Sequence, residues 1–452
     1  MIVALYNMQI NLSGCAQIVS PTGGLRDTLP PKLLKANPAS GTTNFKGNKI
    51  TLDFDEYVQL DNVRQNLLVS PTPKTDPNVD YKLRSVTIKL KDTLEKNTTY
   101  TINLGDAIKD LNEGNAVKNF VYVFSTGPAL DSLSFSGNVE VAETGKVDST
   151  MIVLLYKNLE DSAVEKLRPK YIARLNGEGN FSFTNLASGQ YKVYALKDGD
   201  GSKTYNSKAE MFAFTNTIIT VNAATADVSL YAYVEEKEKE KPSSNNAKST
   251  DKKLKYTTPI PFEAQDILTD LFIDFNKPLK NFDKSKIILT DTLFDPLPDV
   301  NVSLDTLNKR ISVKNKWIEN TDYRLIISKD FATDTSGNAL PKSDTIKFKT
   351  KKEIDYGSLK LNFKNLDLTK NPVLQFVQSG EVVKSFSLTS SKWENKLFTP
   401  GDFELRILYD DNKNGKWDPG NYHLKKQPEK VQSISQKINI KANWDNERDI
   451  EL

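Results

Sequence analysis

Across ITLDFDEYVQLDN (residues 50–62), apolar side chains fall at Ile50, Leu52 and Phe54 with polar residues between them. The same alternation runs through Val86, Ile88 and Leu90, and again through Ile346 and Phe348. A period of two puts successive side chains on opposite faces of a strand, so each such segment has one apolar face that needs a second layer to cover it. Turn residues separate the segments. Gly114-Asn115 and Gly337-Asn338 suit tight turns, because Gly accepts positive φ and Asn tolerates it. Short strands at regular turn spacing predict β-sandwiches.

The pattern also repeats on a larger scale. ITLDFDEYVQLDN aligns with LFIDFNKPLKNFD (271–283), EKNTTYTINL (95–104) with IENTDYRLII (318–327), and AIKDLNEGNAVKNFVYVFST (107–126) with FATDTSGNALPKSDTIKFKT (331–350). A second pair fills the intervening chain. FSFTNLASGQYKVYALKDGDGSKTYN (181–206) parallels WENKLFTPGDFELRILYDDNKNGKWDPGNY (393–422), with Gly189 opposite Gly401 and Asp198 opposite Asp410. A two-module unit has been duplicated.

The first pair resembles the bacterial Ig-like domain first described in surface-layer proteins. It has an early F-[ND] strand, a central T-x-Y-x-[LV] segment and a late D-x-x-G-N turn, which the first copy lengthens by one residue to Asp110-Leu-Asn-Glu-Gly114-Asn115. Tyr100 and Tyr323 stand where a tyrosine corner would place them. The second pair resembles transthyretin-like or carboxypeptidase-regulatory-like β-sandwiches. These resemblances imply an all-β chain of four tandem β-sandwich domains: Ig-like at 28–127, transthyretin-like at 131–234, Ig-like at 256–351 and transthyretin-like at 355–452. Between the halves, EEKEKEKPSSNNAKSTDKKLK (235–255) has no apolar period and is expected to be a charged, flexible linker.

Composition narrows the function by exclusion. The chain has 452 residues, enough for several domains, and its 61 basic and 58 acidic residues leave a net charge of +3. Such a balance lacks the basic excess that displaces counterions from phosphates, so no nucleic-acid partner is expected. One Cys and one His rule out a Cys/His zinc cluster and an intrachain disulfide. His423 would have to serve any Ser-His-Asp triad, and no G-x-S-x-G elbow accompanies it. No phosphate-cradling glycine loop is present, and no apolar run is long enough to span a bilayer. The chain is expected not to be an enzyme.

The single cysteine carries the most specific expectation. MIVALYNMQINLSGC ends in Leu12-Ser13-Gly14-Cys15, which resembles the lipobox of bacterial lipoproteins. In that family the cysteine thiol receives a diacylglycerol, the preceding peptide is removed, and the new amino terminus is acylated. The resemblance implies a signal peptide at 1–14 and a lipidated tether at 15–27, where SPTGGLRDTLPPK has the composition of a spacer. Membrane lipid would then be a partner through Cys15, held by several acyl chains.

Two loops and four tryptophans are the remaining candidates. Asp410, Asn412 and Asn414 before Gly415 reproduce the first half of a calcium loop, and Asp418 could complete the shell around a structural calcium ion. The alternative is an Asx-rich hairpin tip whose side chains bond their own backbone. Asp198-Gly-Asp200-Gly is a thinner version of the same loop. Among Trp317, Trp393, Trp417 and Trp444, Trp417 lies at the loop tip and is the candidate for an exposed binding contact. The module order and the sequence after Cys15 look like the Ig-like-domain lipoproteins of Bacteroidota. That resemblance implies a non-catalytic outer-membrane lipoprotein, on the cell-surface or periplasmic face, acting as a scaffold or accessory subunit. Its partner would be an outer-membrane protein or a multi-subunit complex. The alternative is a glycan-binding surface lipoprotein.

Overall fold

The computed structural model describes residues 26–452 apart from 224, 237–252, 259 and 261–263. Leu12, Ser13, Gly14 and Cys15 lie outside the described residues. The described chain is built almost wholly of strands; its two α-helical turns are Val63–Asn66 and Ala163–Lys166.

Its described residues divide into two compact units: 26–138, 149–206 and 215–230 in one, and 139–148, 207–214 and 231–452 in the other. In the first unit, a four-stranded antiparallel sheet runs in the order Leu33–Asn37, Lys49–Phe54, Ser85–Lys89, Asn78–Lys82. The facing sheet runs Leu68–Ser70, Thr99–Gly105, Phe120–Ser125. The alternation in the sequence becomes the alternation of burial. Ile50, Leu52 and Phe54 meet Val86 and Ile88 on one side and Tyr100, Ile102, Tyr122 and Phe124 on the other. Two apolar faces brought together form the sandwich core, and removal of that surface from water is its main stabilisation.

The second unit repeats this strand order. Tyr256–Thr257, Leu271–Phe275, Arg310–Lys314 and Asn301–Leu304 form one sheet, and Ala264–Gln265, Asp344–Thr350, Asp322–Ile327 and Ile287–Thr290 the other. Val58–Leu60 pairs with Ile108–Asp110 in the first copy as Leu279–Lys280 pairs with Thr333–Asp334 in the second. One expectation needs correcting at its edge. Leu254, placed by sequence in the charged linker, is fully buried in the core with Leu271 and Phe275, and Lys255 bonds the Asn276 backbone.

The remaining strands follow the second repeat. In the first unit Ile152–Tyr156 lies between Tyr171–Arg174 and Gly189–Leu196, all antiparallel. In the second unit Gly401–Tyr409 lies between Pro372–Gln378 and Lys430–Ile440, while Gly357–Lys364 pairs antiparallel with Lys392–Phe398 and parallel with Asp445–Glu451. Gly189 and Gly401, aligned by sequence, each open their strand at nearly the same φ, +154° and +151°, where a side chain would be strained.

Candidate functional site

The Asp410–Asp418 loop leaves the strand Gly401–Tyr409 and is organised by two buried carboxylates. Asp410 Oδ1 accepts from the Asn414 N–H at 3.2 Å and Oδ2 from the Gly415 N–H at 2.6 Å. Gly415 sits at φ +75°, the turn that brings its N–H back to the carboxylate. Asp418 Oδ2 accepts the side-chain amides of Asn412 and Asn414, the latter at 2.9 Å. Asn412 Oδ1 and Asn414 Oδ1 accept backbone N–H groups two residues on, as in Asx turns.

Glu429, which the sequence reading did not single out, closes the base of this loop. Its two oxygens accept the N–H groups of Asp411 at 2.9 Å and Asp418 at 3.0 Å, and burial pushes its carboxyl up from its ordinary value. The oxygens of Asp410, Asp418 and Glu429 are thus turned toward N–H groups of the loop itself. A calcium ion needs six or more oxygens aimed at one point, and this set would have to break those bonds to provide them. Among the described residues no group of three or more His, Cys, Asp or Glu side chains is arranged to hold a metal ion.

The equivalent loop in the first unit follows the same logic with fewer groups. Asp198 accepts from the Lys203 N–H at 3.2 Å, and burial raises its pKa. The Asn206 amide, at 2.7 Å, and the Ser202 backbone and hydroxyl hold Asp200 down at about 2.

The tryptophans do not share a surface. Trp317 is buried, donates to Thr269 O at 2.9 Å and packs edge-on against Tyr323 and Phe348. Trp393 packs against Phe376 and Phe386. Trp417 is half-buried: its indole N–H donates to Glu429 O at 2.8 Å, and its ring covers Val373, Leu408 and Val431. Trp444 is the exposed one, at 62%.

Positions shared by the two Ig-like copies make matching structural contacts. Tyr100 Oη accepts from the Glu95 N–H at 2.9 Å, and Tyr323 Oη from the Ile318 N–H at 3.3 Å, so both form the tyrosine corner. Thr126 and Thr350 repeat a second contact, each hydroxyl donating to the carbonyl of that same residue, Glu95 or Ile318. Asp110 accepts the N–H groups of Glu113, Gly114 and Asn115. Asp334 accepts those of Ser336 and Asn338. No helix among the described residues is long and apolar enough to cross a membrane.

No curated protein matches the chain. Among solved structures, it is similar to the major pilin subunit BcpA of Bacillus cereus, at 13% identity over 70% of this chain and 99% of that one, with a TM-score of 0.17. It is also similar to the Bacillus anthracis TIE protein, at 11% identity over 96% of this chain and 76% of that one, TM-score 0.17. The S-layer protein SbsC matches at 13% identity over 92% of this chain and 54% of that one, TM-score 0.16. The family comparison is local and agrees with the sandwich that holds Tyr100 and Asp110: residues 27–126 match the bacterial Ig-like domain.

Proposed function

We propose that the chain is a bacterial envelope lipoprotein that works through β-sandwich surfaces rather than an active site, tethered by a diacylglycerol on Cys15 to the outer membrane. The observation that carries this reading is the position of Leu12-Ser13-Gly14-Cys15 shortly before residue 27, where the match to the bacterial Ig-like domain begins. A lipobox followed by a Pro- and Gly-containing spacer and then a folded Ig-like module is the arrangement of a tethered surface protein. In this role the sandwiches and loop tips supply contacts to an outer-membrane protein or a larger complex, and the duplication doubles the surface offered.

Metabolic labelling with radiolabelled palmitate tests the anchor. Label should enter the wild-type chain and be lost in Cys15→Ser, which should leave the membrane fraction. Label that survives the substitution, or a wild-type chain recovered wholly in the soluble fraction, overturns the anchor. A gentle-detergent pull-down from native membranes tests the scaffold role: a stoichiometric envelope protein supports it, and a chain recovered alone removes it.

A further inference from the structure

In the first unit, the Ig-like sandwich and the sheet carrying Tyr171–Arg174 enclose a cleft of about 650 Å3. That volume is in the range of small-ligand sites. Its lining is mixed: side-chain amides and hydroxyls, including Asn66, Asn103, Asn176 and Ser182, alternate with apolar groups such as the exposed Val121, around one guanidinium, that of Arg174.

Arg174 is held by design of the backbone beneath it. Gly105 takes φ +53°, and a Cβ there would lie 2.9 Å from Asn66 Oδ1 and 3.3 Å from Arg174 Nη1. A side chain at position 105 would therefore press on the guanidinium. Arg174 Nη2 donates to the carbonyl of Gln65. No carboxylate lies within ion-pair distance of Arg174 among the described residues. The other charged group of the lining, Asp106, is already paired with Lys118 at 2.7 Å. Burial pushes the guanidinium down from its ordinary value, the mark of a cation withdrawn from water with no anion beside it. Among the described residues Gln65 O is the one acceptor of the Arg174 guanidinium, and a planar fork of N–H donors is suited to pairing with a carboxylate.

We propose that this cleft binds an acidic oligosaccharide, with Arg174 pairing with a sugar carboxylate and the surrounding amides and hydroxyls bonding the ring hydroxyls. A single cation suits a singly charged carboxylate and is too little for a polyphosphate backbone. The adjoining strand edge is not open to an extended peptide: both the N–H and the C=O of Ile172 are engaged by the Ser70 hydroxyl. A wholly apolar ligand would cover the Arg174 guanidinium without giving it a partner.

The test is calorimetric titration of the full chain with a panel of uronic-acid tetrasaccharides (galacturonate, alginate and hyaluronate types). Neutral tetrasaccharides and tetraglutamate serve as comparisons. At least one acidic sugar should bind with a dissociation constant below about 1 mM, and more than tenfold tighter than its neutral counterpart and tetraglutamate. Arg174→Gln should weaken it at least tenfold. Ser182→Tyr, which fills the cleft and leaves the charge in place, should do the same with an unchanged unfolding curve. No binding across the panel, equal binding of neutral sugars, equal binding of tetraglutamate, or binding that both variants keep would each overturn the proposal.

Discussion

Lys277 Nζ lies 2.9 Å from the fully buried Asp334 Oδ2, and in the first Ig-like copy the position aligned with Lys277 is Glu56. The two copies have opposite charge at one place in one fold. Burial, and then the nearby Asp110, raise the pKa of Glu56, so the first copy carries two carboxyls where the second carries an ion pair. Reversing each charge should therefore have opposite effects. Glu56→Lys is expected to raise the thermal midpoint of the first sandwich, and Lys277→Glu to lower that of the second, more than Lys277→Met does. Scanning calorimetry of the full chain reads both; a drop with Glu56→Lys would refute the comparison.

Acid should act on the second sandwich through the same aspartate. The Asn338 amide, backbone N–H groups and Lys277 hold Asp334 well below the usual carboxylate range. A depressed folded pKa contributes stability that is complete above the unfolded value of about 4 and is lost as pH falls below it toward the folded value. Hydrogen exchange over 322–327 and 344–350 should accelerate between about pH 4 and pH 2. In Asp334→Asn the exchange should be faster at neutral pH and less dependent on acid. A profile that does not change with the substitution would assign the acid response elsewhere.

Much of this fold could be read from residue order. Ile50, Leu52 and Phe54 declare a half-buried strand because burial alternates with the chain itself, and the repeat of Asp110 as Asp334 and of Gly189 as Gly401 marks shared backbone geometry. Long-range placement was not legible. Glu429 reaches the 410–418 loop only because Lys430–Ile440 pairs beside Gly401–Tyr409. Trp417, at a loop tip by sequence, folds back onto Val373 and Val431. Leu254 is one apolar residue in a charged run, with no period to announce it. Arg174 has no local signal either, since its surroundings come from strands distant in sequence.

Removing the tyrosine hydroxyls should separate the two corners by their geometry. Tyr100→Phe loses a 2.9 Å bond and Tyr323→Phe a 3.3 Å bond. Each is expected to cost about 0.5–1.5 kcal/mol in urea unfolding, with Tyr100→Phe the larger. Equal or reversed losses would mean that ring packing, rather than the hydroxyl, sets the difference.

The 410–418 loop should depend on Asp410 rather than on calcium. Asp410→Ala leaves the N–H groups of Asn414 and Gly415 without their acceptor and is expected to cost about 2–3 kcal/mol. Millimolar calcium or a chelator should leave the wild-type unfolding midpoint where it is. A calcium-dependent rise that Asp418→Ala abolishes would show that the loop reorganises around an ion.

The parallel pairings have a mechanical consequence. Ala264–Gln265 runs parallel to Asp344–Thr350, Gly357–Lys364 runs parallel to Asp445–Glu451, and Thr42 bridges Phe124 in the same sense. In the last sandwich the partners are its first and last strands, Gly357–Lys364 and Asp445–Glu451, so its two chain ends leave at opposite poles. A pull on those ends then loads the connecting hydrogen bonds side by side, in shear, and they must break together. Antiparallel terminal strands would instead be peeled apart one bond at a time. The sandwich from Gly357 to Glu451 therefore has its terminal strands in the arrangement that resists a pull along them.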